Sequence, residues 1–261
     1  MKVGFIGVGR MGLALLKGFV EGGFVSLGDV LACDKDAGKL KQFRIKSSDA
    51  KTVVSKSDVV FLCVKPQNMT EVLDEVKDVS KGRLFVSIAA GVPTSAIESK
   101  LAQARVVRVM PNTPALVGAM AAGYSLGRNA SEKDGELVRK FMNSVGIAHQ
   151  LDEKLLDAVT GLSGSGPAYA YYFIKALKDA GVEEGIPDEI AIKLAAQTTK
   201  GASEMILHGM GSPDELIEKV KSPGGTTIEG MKALDEGKFY DTVKNAVKKA
   251  TERSRDLGKQ N

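Results

Sequence analysis

The apolar run Val3–Ile6 passes directly into Gly7-Val8-Gly9-Arg10-Met11-Gly12, and an amphipathic stretch then continues to Glu21. A lone G-x-G-x-x-G is a weak signal. Placed between an apolar strand and an amphipathic helix, it describes a tight turn that delivers unpaired helix amides to an anion. Gly7 permits the turn, Gly9 lets backbone approach a pyrophosphate, and Gly12 lets helix and strand pack closely. The expectation is a dinucleotide site opening the chain, contacted by Ile6, Gly7, Val8, Gly9, Arg10, Met11 and Gly12.

Further apolar runs at Val30–Asp34, Asp58–Val64, Leu84–Ala89 and Val106–Met110 lack polar alternation, as strands buried on both faces do. Helical stretches such as Met11–Glu21 and Asn68–Val79 lie between them, and Gly22-Gly23 stops the first. Strand–helix–strand repetition means a parallel sheet with crossover helices. Met120–Leu126 and Ile147–Leu151 are candidate edge strands. From Asp152 the pattern is helical throughout: Asp152–Leu162, Pro167–Ala180, Asp188–Leu207, Asp214–Val220, Thr226–Leu234 and Phe239–Leu257. Ile190, Leu194, Thr198, Gly201 and Met205 recur at helical spacing. The expected fold class is α/β: a doubly wound (Rossmann) parallel-sheet domain over residues 1–151, then an all-helical domain over 152–261. No repeat or low-complexity linker separates them. Many Ala and Gly positions on the later helices suggest close packing, and dimerisation through that domain is expected.

Composition limits the chemistry. Hydrophobic residues make up 43% of the 261, enough for a core, and a formal charge of +4 with interspersed signs gives no clustered basic face for nucleic acid. No apolar run approaches the roughly 18 residues of a membrane span. Cys33 and Cys63 each sit inside an apolar run, away from either histidine, so neither a disulfide nor a metal site is expected and a reducing, cytoplasmic compartment fits. The two histidines, His149 and His208, are far apart, which argues against a His general base or a His-rich metal centre.

Asp34 ends the second strand at the place where an acid bonds the adenosine ribose, or it caps the following helix. A carboxylate there favours NADH, whereas the adjacent Lys35 could attract the 2′-phosphate of NADPH, so the cofactor is expected to be one of the two. Ligands of open α/β sheets lie beyond the strand carboxyl ends. The loops there are Cys63-Val64-Lys65-Pro66, Ala89-Ala90-Gly91 and Met110-Pro111-Asn112-Thr113-Pro114. Ala89 and Ala90 are small enough for a nicotinamide to lie against backbone, and Asn112 either pins its loop or bonds the cofactor carboxamide.

In the helical part, Ser222-Pro223-Gly224-Gly225-Thr226-Thr227 precedes a helix, so its amides form a site for a small carboxylate. Thr226 and Thr227 are also plausible helix caps. A second glycine-rich segment is Gly161-Leu162-Ser163-Gly164-Ser165-Gly166-Pro167-Ala168-Tyr169.

With these motifs in this order the chain resembles the pyrroline-5-carboxylate reductases along nearly its whole length. The matching segments are Val3-Gly4-Phe5-Ile6-Gly7, Val64-Lys65-Pro66, Ser87-Ile88-Ala89-Ala90-Gly91, Met110-Pro111-Asn112-Thr113-Pro114-Ala115, Ser163–Tyr169 and Ser222-Pro223-Gly224-Gly225-Thr226-Thr227-Ile228. The resemblance implies a Rossmann domain with a helical domain that interleaves with its twin, and reduction of a cyclic imine acid to proline. It also implies that Ser222, Gly224, Gly225, Thr226 and Thr227 hold the substrate carboxylate, with Thr227 hydrogen-bonding the ring nitrogen as the catalytic residue. Asp34 departs from relatives that carry a small polar or basic residue there. Three other readings compete. A β-hydroxyacid dehydrogenase resembles this architecture but pairs its glycine-rich helix start with a lysine, where this chain has Ala170. The others are a reductase of a different imine and a non-catalytic dinucleotide sensor.

Overall fold

The computed structural model describes residues 1–259, which divide by their internal contacts into two compact units. One comprises Met1–Ser165 together with the chain from Val247 onward, and the other is Gly166–Ala246.

The first unit is built on eight strands: β1 Val3–Ile6, β2 Val30–Cys33, β3 Lys46–Ser47, β4 Val59–Leu62, β5 Leu84–Ser87, β6 Arg105–Met110, β7 Met120–Leu126 and β8 Gly146–Gln150. Their order is β3-β2-β1-β4-β5-β6-β7-β8, and every neighbouring pair is parallel except β6 and β7. That pair is antiparallel because a short turn over Thr113–Val117, too brief for a crossover, joins it. The two strands expected at Met120–Leu126 and Ile147–Leu151 are present as β7 and β8, both running opposite to β1–β6; only β8 is an edge, because β7 lies between it and β6.

Helices α1 Arg10–Glu21, α2 Ala37–Gln42, α3 Ala50–Lys56, α4 Met69–Val76, α5 Thr94–Lys100 and α6 Glu132–Asn143 connect the strands. Two of them begin on side-chain caps. Asp49 accepts the Thr52 hydroxyl at 2.6 Å and the Thr52 amide at 2.8 Å, which hold its carboxyl below the usual carboxylate range, and Ser131 with Asp134 forms a capping box for α6. Strand residues alternate between two cores. Phe5, Phe61 and Val86 face one side with Phe19 of α1 and Phe141 of α6; Ile6, Leu62 and Phe85 face the other with Val53 of α3 and Leu73 of α4. Both faces are dry, so the strands read as continuous apolar runs. Phe5 stacks on Phe61 with centroids 5.0 Å apart, and Phe141 closes edge-on over Phe61 at 5.3 Å.

The remainder is helical: α7 Leu156–Val159, α8 Gly166–Glu183, α9 Asp188–Leu207, α10 Pro213–Val220, α11 Thr226–Glu236 and α12 Phe239–Gly258. The single helix expected over Asp152–Leu162 is instead a 3-10 turn at Glu153–Leu155, α7, and a π turn at Thr160–Gly164. Thr160 Oγ1 donates to the Leu156 carbonyl and Ser163 Oγ to that of Val159, and such back-bonding loosens the regular ladder. A Cβ on Gly161 would lie 2.2 Å from Thr251 Oγ1, so the glycine lets the C-terminal part of α12 press against this turn. Among the described residues no helix is long and apolar enough to cross a membrane.

The second unit buries little of its own apolar surface. Among the described residues of Gly166–Ala246, Ala191 and Ala195 are its buried hydrophobic side chains. Tyr172, Leu194 and Leu207 are 78%, 53% and 72% exposed. The helical spacing of Ile190, Leu194 and Met205 does form a face on α9, and that face is uncovered in the single chain.

Candidate active site

Along the sheet the chain proceeds outward in one direction from β1 through β2 to β3, and in the other from β4 onward. The reversal falls between β1 and β4, where the loops leaving the two strands part and open a crevice. A cavity of about 430 Å³ occupies this place, lined by Ile6, Gly7, Gly9, Asp34, Lys35, Cys63, Val64 and Lys65, all anticipated as cofactor contacts.

The glycine loop meets its steric demands. Gly7 has φ +86°, and a Cβ there would sit 2.8 Å from the Cys63 carbonyl oxygen. A Cβ on Gly12 would lie 2.8 Å from the Gly7 carbonyl and 2.9 Å from Cys63 Cβ, so this glycine sets how closely α1 approaches the sheet. At Gly9, by contrast, nothing lies within 4 Å of an added Cβ. Gly9 is the N-cap of α1 and no side chain caps it, leaving the amides of Arg10, Met11 and Gly12 for an anion. Arg10 is exposed, Met11 half-buried, and Val8 buried in the core beneath the loop. These features fit a dinucleotide pyrophosphate: an open cradle over bare backbone with helix amides facing it.

Asp34 secures the loop from beside it. Its Oδ2 accepts the Val8 amide at 2.5 Å and its Oδ1 that of Asp36 at 2.8 Å. The capping role considered for Asp34 falls to Asp36, which accepts the Gly38 amide at 3.1 Å. Lys35 Nζ lies 3.1 Å from Glu71 Oε2 on α4.

The wall opposite was not anticipated. Gln67, Asn68, Glu71, Val72 and Glu75 line the cavity from the turn Pro66–Asn68 and from α4. A usable signal existed: Glu71 and Glu75 are like charges one helical turn apart, an arrangement that costs an isolated helix stability and so invites explanation. Burial, then the carboxylates of Glu75, Asp34 and Asp49, push the Cys33 thiol up, which registers the negative charge converging on the end of β2. Burial alone pushes up the Cys63 thiol.

Pro66, Ala89, Ala90 and Asn112 lie outside that lining. Pro66 opens the turn into α4; Ala89 is buried and Ala90 exposed just past β5. Asn112 is buried, donates from Nδ2 to the Ser163 carbonyl at 3.0 Å, and accepts the Ala121 amide on Oδ1 at 3.0 Å. Of its two anticipated roles, the one visible is pinning the loop.

In the second unit, Ser222-Pro223-Gly224-Gly225 turns into α11. Gly224 has φ +69°, and Gly225 donates its amide to the Ser222 carbonyl at 2.8 Å. A Cβ on Gly225 would lie 2.3 Å from Ser222 Oγ, so this glycine shapes the turn, and its amide is already spent on it. Gly225 is also the N-cap, without a side-chain hydrogen bond. Thr226 and Thr227 therefore fall inside the helix and cap nothing. Their amides have no backbone partner among the described residues, and Thr227 is half-buried while Ser222 and Thr226 are exposed. His149 and His208 are both exposed. Lys175, the lysine nearest the start of α8, pairs with Asp179 on the same helix.

A family model described as pyrroline-5-carboxylate reductase dimerisation matches residues 153–257, and one described as NADP oxidoreductase, coenzyme F420-dependent, matches residues 2–91. A pyrroline-5-carboxylate reductase of Methanosarcina acetivorans is 43% identical, the alignment covering 99% of this chain and 98% of the relative. The solved structure of a pyrroline carboxylate reductase from Plasmodium falciparum with NADP bound is similar at a TM-score of 0.90 and 34% identity, over 99% of this chain and 98% of that one. A pyrroline-5-carboxylate reductase from Coxiella burnetii superposes at a TM-score of 0.93 with 32% identity, over 98% of both chains.

Proposed function

We propose how the site works from one premise: this chain belongs to the pyrroline-5-carboxylate reductase family. It reduces 1-pyrroline-5-carboxylate to L-proline, with NADH or NADPH as reductant. The observation that carries the reading on this chain's own residues is the uncapped start of α11, where Thr226 and Thr227 amides stand free behind an exposed Ser222.

The substrate is a five-membered ring with one C=N bond and one carboxylate. The helix-end amides of Thr226 and Thr227 bind that carboxylate, aided by the positive end of the α11 dipole and by the Ser222 hydroxyl. Gly224 and Gly225 keep the turn compact beside it. The half-buried Thr227 hydroxyl bonds the ring nitrogen and fixes its orientation. In the protonated imine the ring carbon is already electrophilic, so no strong acid is needed, which suits a chain whose two histidines are exposed. In the sheet unit, Gly7, Gly9 and Gly12 leave room for the cofactor pyrophosphate, the amides of Arg10 and Met11 bind it, and Asp34 meets the ribose. Val64, Lys65, Pro66, Ala89 and Ala90 bound the rest of the cofactor path. When bound, the nicotinamide would supply the hydride that reduces the imine carbon.

Free thiols at Cys33 and Cys63 fit work in the cytoplasm, and the match to the dimerisation family supports a homodimer or larger ring joined through the helical domain. Thr227→Ala is expected to lower kcat about tenfold or more, in line with the loss of one oriented proton contact, while the dissociation constant for NADH stays within about twofold. Stopped-flow turnover and NADH fluorescence titration measure the two. An unchanged kcat removes Thr227 from the chemistry.

A further inference from the structure

We propose that this pocket discriminates against a 2′-phosphate and selects NADH over NADPH, through a carboxylate cluster that Asp34 of β2's end forms with Glu71 and Glu75 of α4. The inference rests on the assignment of the crevice between β1 and β4 as the dinucleotide site.

Asp34 is placed to read the ribose and cannot easily leave. Both its oxygens hold backbone amides, those of Val8 at 2.5 Å and Asp36 at 2.8 Å. Each oxygen keeps lone pairs for a ribose hydroxyl, which the unmodified ribose of NADH supplies as a donor. NADPH replaces that donor with a group carrying close to two negative charges and only acceptor oxygens.

Lys35 is the residue that could welcome such a group, and Glu71 stands against it, Oε2 at 3.1 Å and Oε1 at 3.5 Å. The pair is exposed, so its own strength is small and does not lock the lysine. What decides is the balance of charge around the cavity. Asp34, Glu71 and Glu75 face Lys35 and Lys65, so the lining stays net negative even with both lysines included. The upward push that Glu75, Asp34 and Asp49 give the Cys33 thiol, second to that of burial, reports the same field from within β2. A phosphate entering here meets repulsion, and a hydroxyl meets an acceptor.

The test uses the full chain and does not depend on turnover alone. NADH and NADPH are titrated separately by fluorescence, and 5′-AMP against 2′,5′-ADP by calorimetry, followed by kcat/KM with each cofactor. The unaltered protein is expected to bind NADH and 5′-AMP on the order of tenfold more tightly than their 2′-phosphorylated counterparts, a difference that shrinks as salt rises. Glu71→Gln removes one negative charge from the lining and narrows the ratio severalfold by improving NADPH affinity, and Asp34→Asn narrows it from both sides. Equal or tighter binding of NADPH by the unaltered chain overturns the proposal, as does a ratio that neither substitution moves. Folded protein that binds neither dinucleotide contradicts the site assignment itself.

Discussion

Gly9→Val yields a folded protein whose affinity for NADH and NADPH falls by about a hundredfold or more, roughly 2.7 kcal/mol. The expectation rests on a contrast within one loop. An added Cβ at Gly9 meets nothing within 4 Å, and the residue's φ of −72° with extended ψ suits a β-branched side chain. The fold therefore tolerates valine there, at the cost of a poorer N-cap, about 1 kcal/mol. The space that valine fills is the surface where a pyrophosphate must approach bare backbone. Gly7→Val behaves differently, because φ +86° and a contact of 2.8 Å to the Cys63 carbonyl make it a folding defect. Thermal melting and dinucleotide titration of the two variants separate these effects. Normal dinucleotide affinity in Gly9→Val shows that the ligand does not lie over this turn.

Leu194→Asp separates the protomers at micromolar concentration and lowers turnover by about a hundredfold or more. Gly166–Ala246 has little core of its own, since among its described residues Ala191 and Ala195 are the buried apolar side chains. An apolar groove of about 660 Å³ runs through it, walled by Tyr169, Tyr172, Phe173, Leu177, Phe239 and Val243. Small units with so little core depend on association, and burial of leucine-sized side chains at about 1.5–3 kcal/mol each supplies what the lone chain lacks. A carboxylate at residue 194 places an unpaired charge on the exposed apolar face of α9. Light scattering gives the mass, and far-ultraviolet circular dichroism reports whether the helices survive. A dimer of full activity locates the interface elsewhere.

How much of this the sequence announces depends on how local each cause is. The buried strands were legible because both faces of the sheet are dry, and Val3–Ile6 and Met120–Leu126 have the bounds their apolar runs suggest. The glycine loop was legible because Gly7 and Gly12 answer steric demands within the same turn or from the next strand, while Gly9 keeps bare backbone open to an anion. The direction of β7 was not, since it depends on the turn at Thr113–Val117 being too short to cross over. Nor was the acidic wall of the cofactor cavity: Glu71 and Glu75 look like ordinary surface residues until α4 is laid beside the end of β2. Asn112 shows the limit from the other side. Its neighbours in sequence suggest a ligand contact, and its partners, Ser163 and Ala121, are known only once the chain has folded. At Ser222–Thr227 the motif located the turn, but which residue caps α11 followed from backbone angles. The apolar spacing on α9 was plain, and that face stays exposed in the single chain.

The most direct test of ring-imine reduction is absorbance at 340 nm with purified protein, racemic 1-pyrroline-5-carboxylate and either NADH or NADPH. The expected result is rapid, substrate-dependent loss of absorbance with stoichiometric L-proline, and the same preparation of Thr227→Ala running markedly slower. Folded protein that binds a dinucleotide yet consumes neither cofactor in the presence of this substrate would contradict the account.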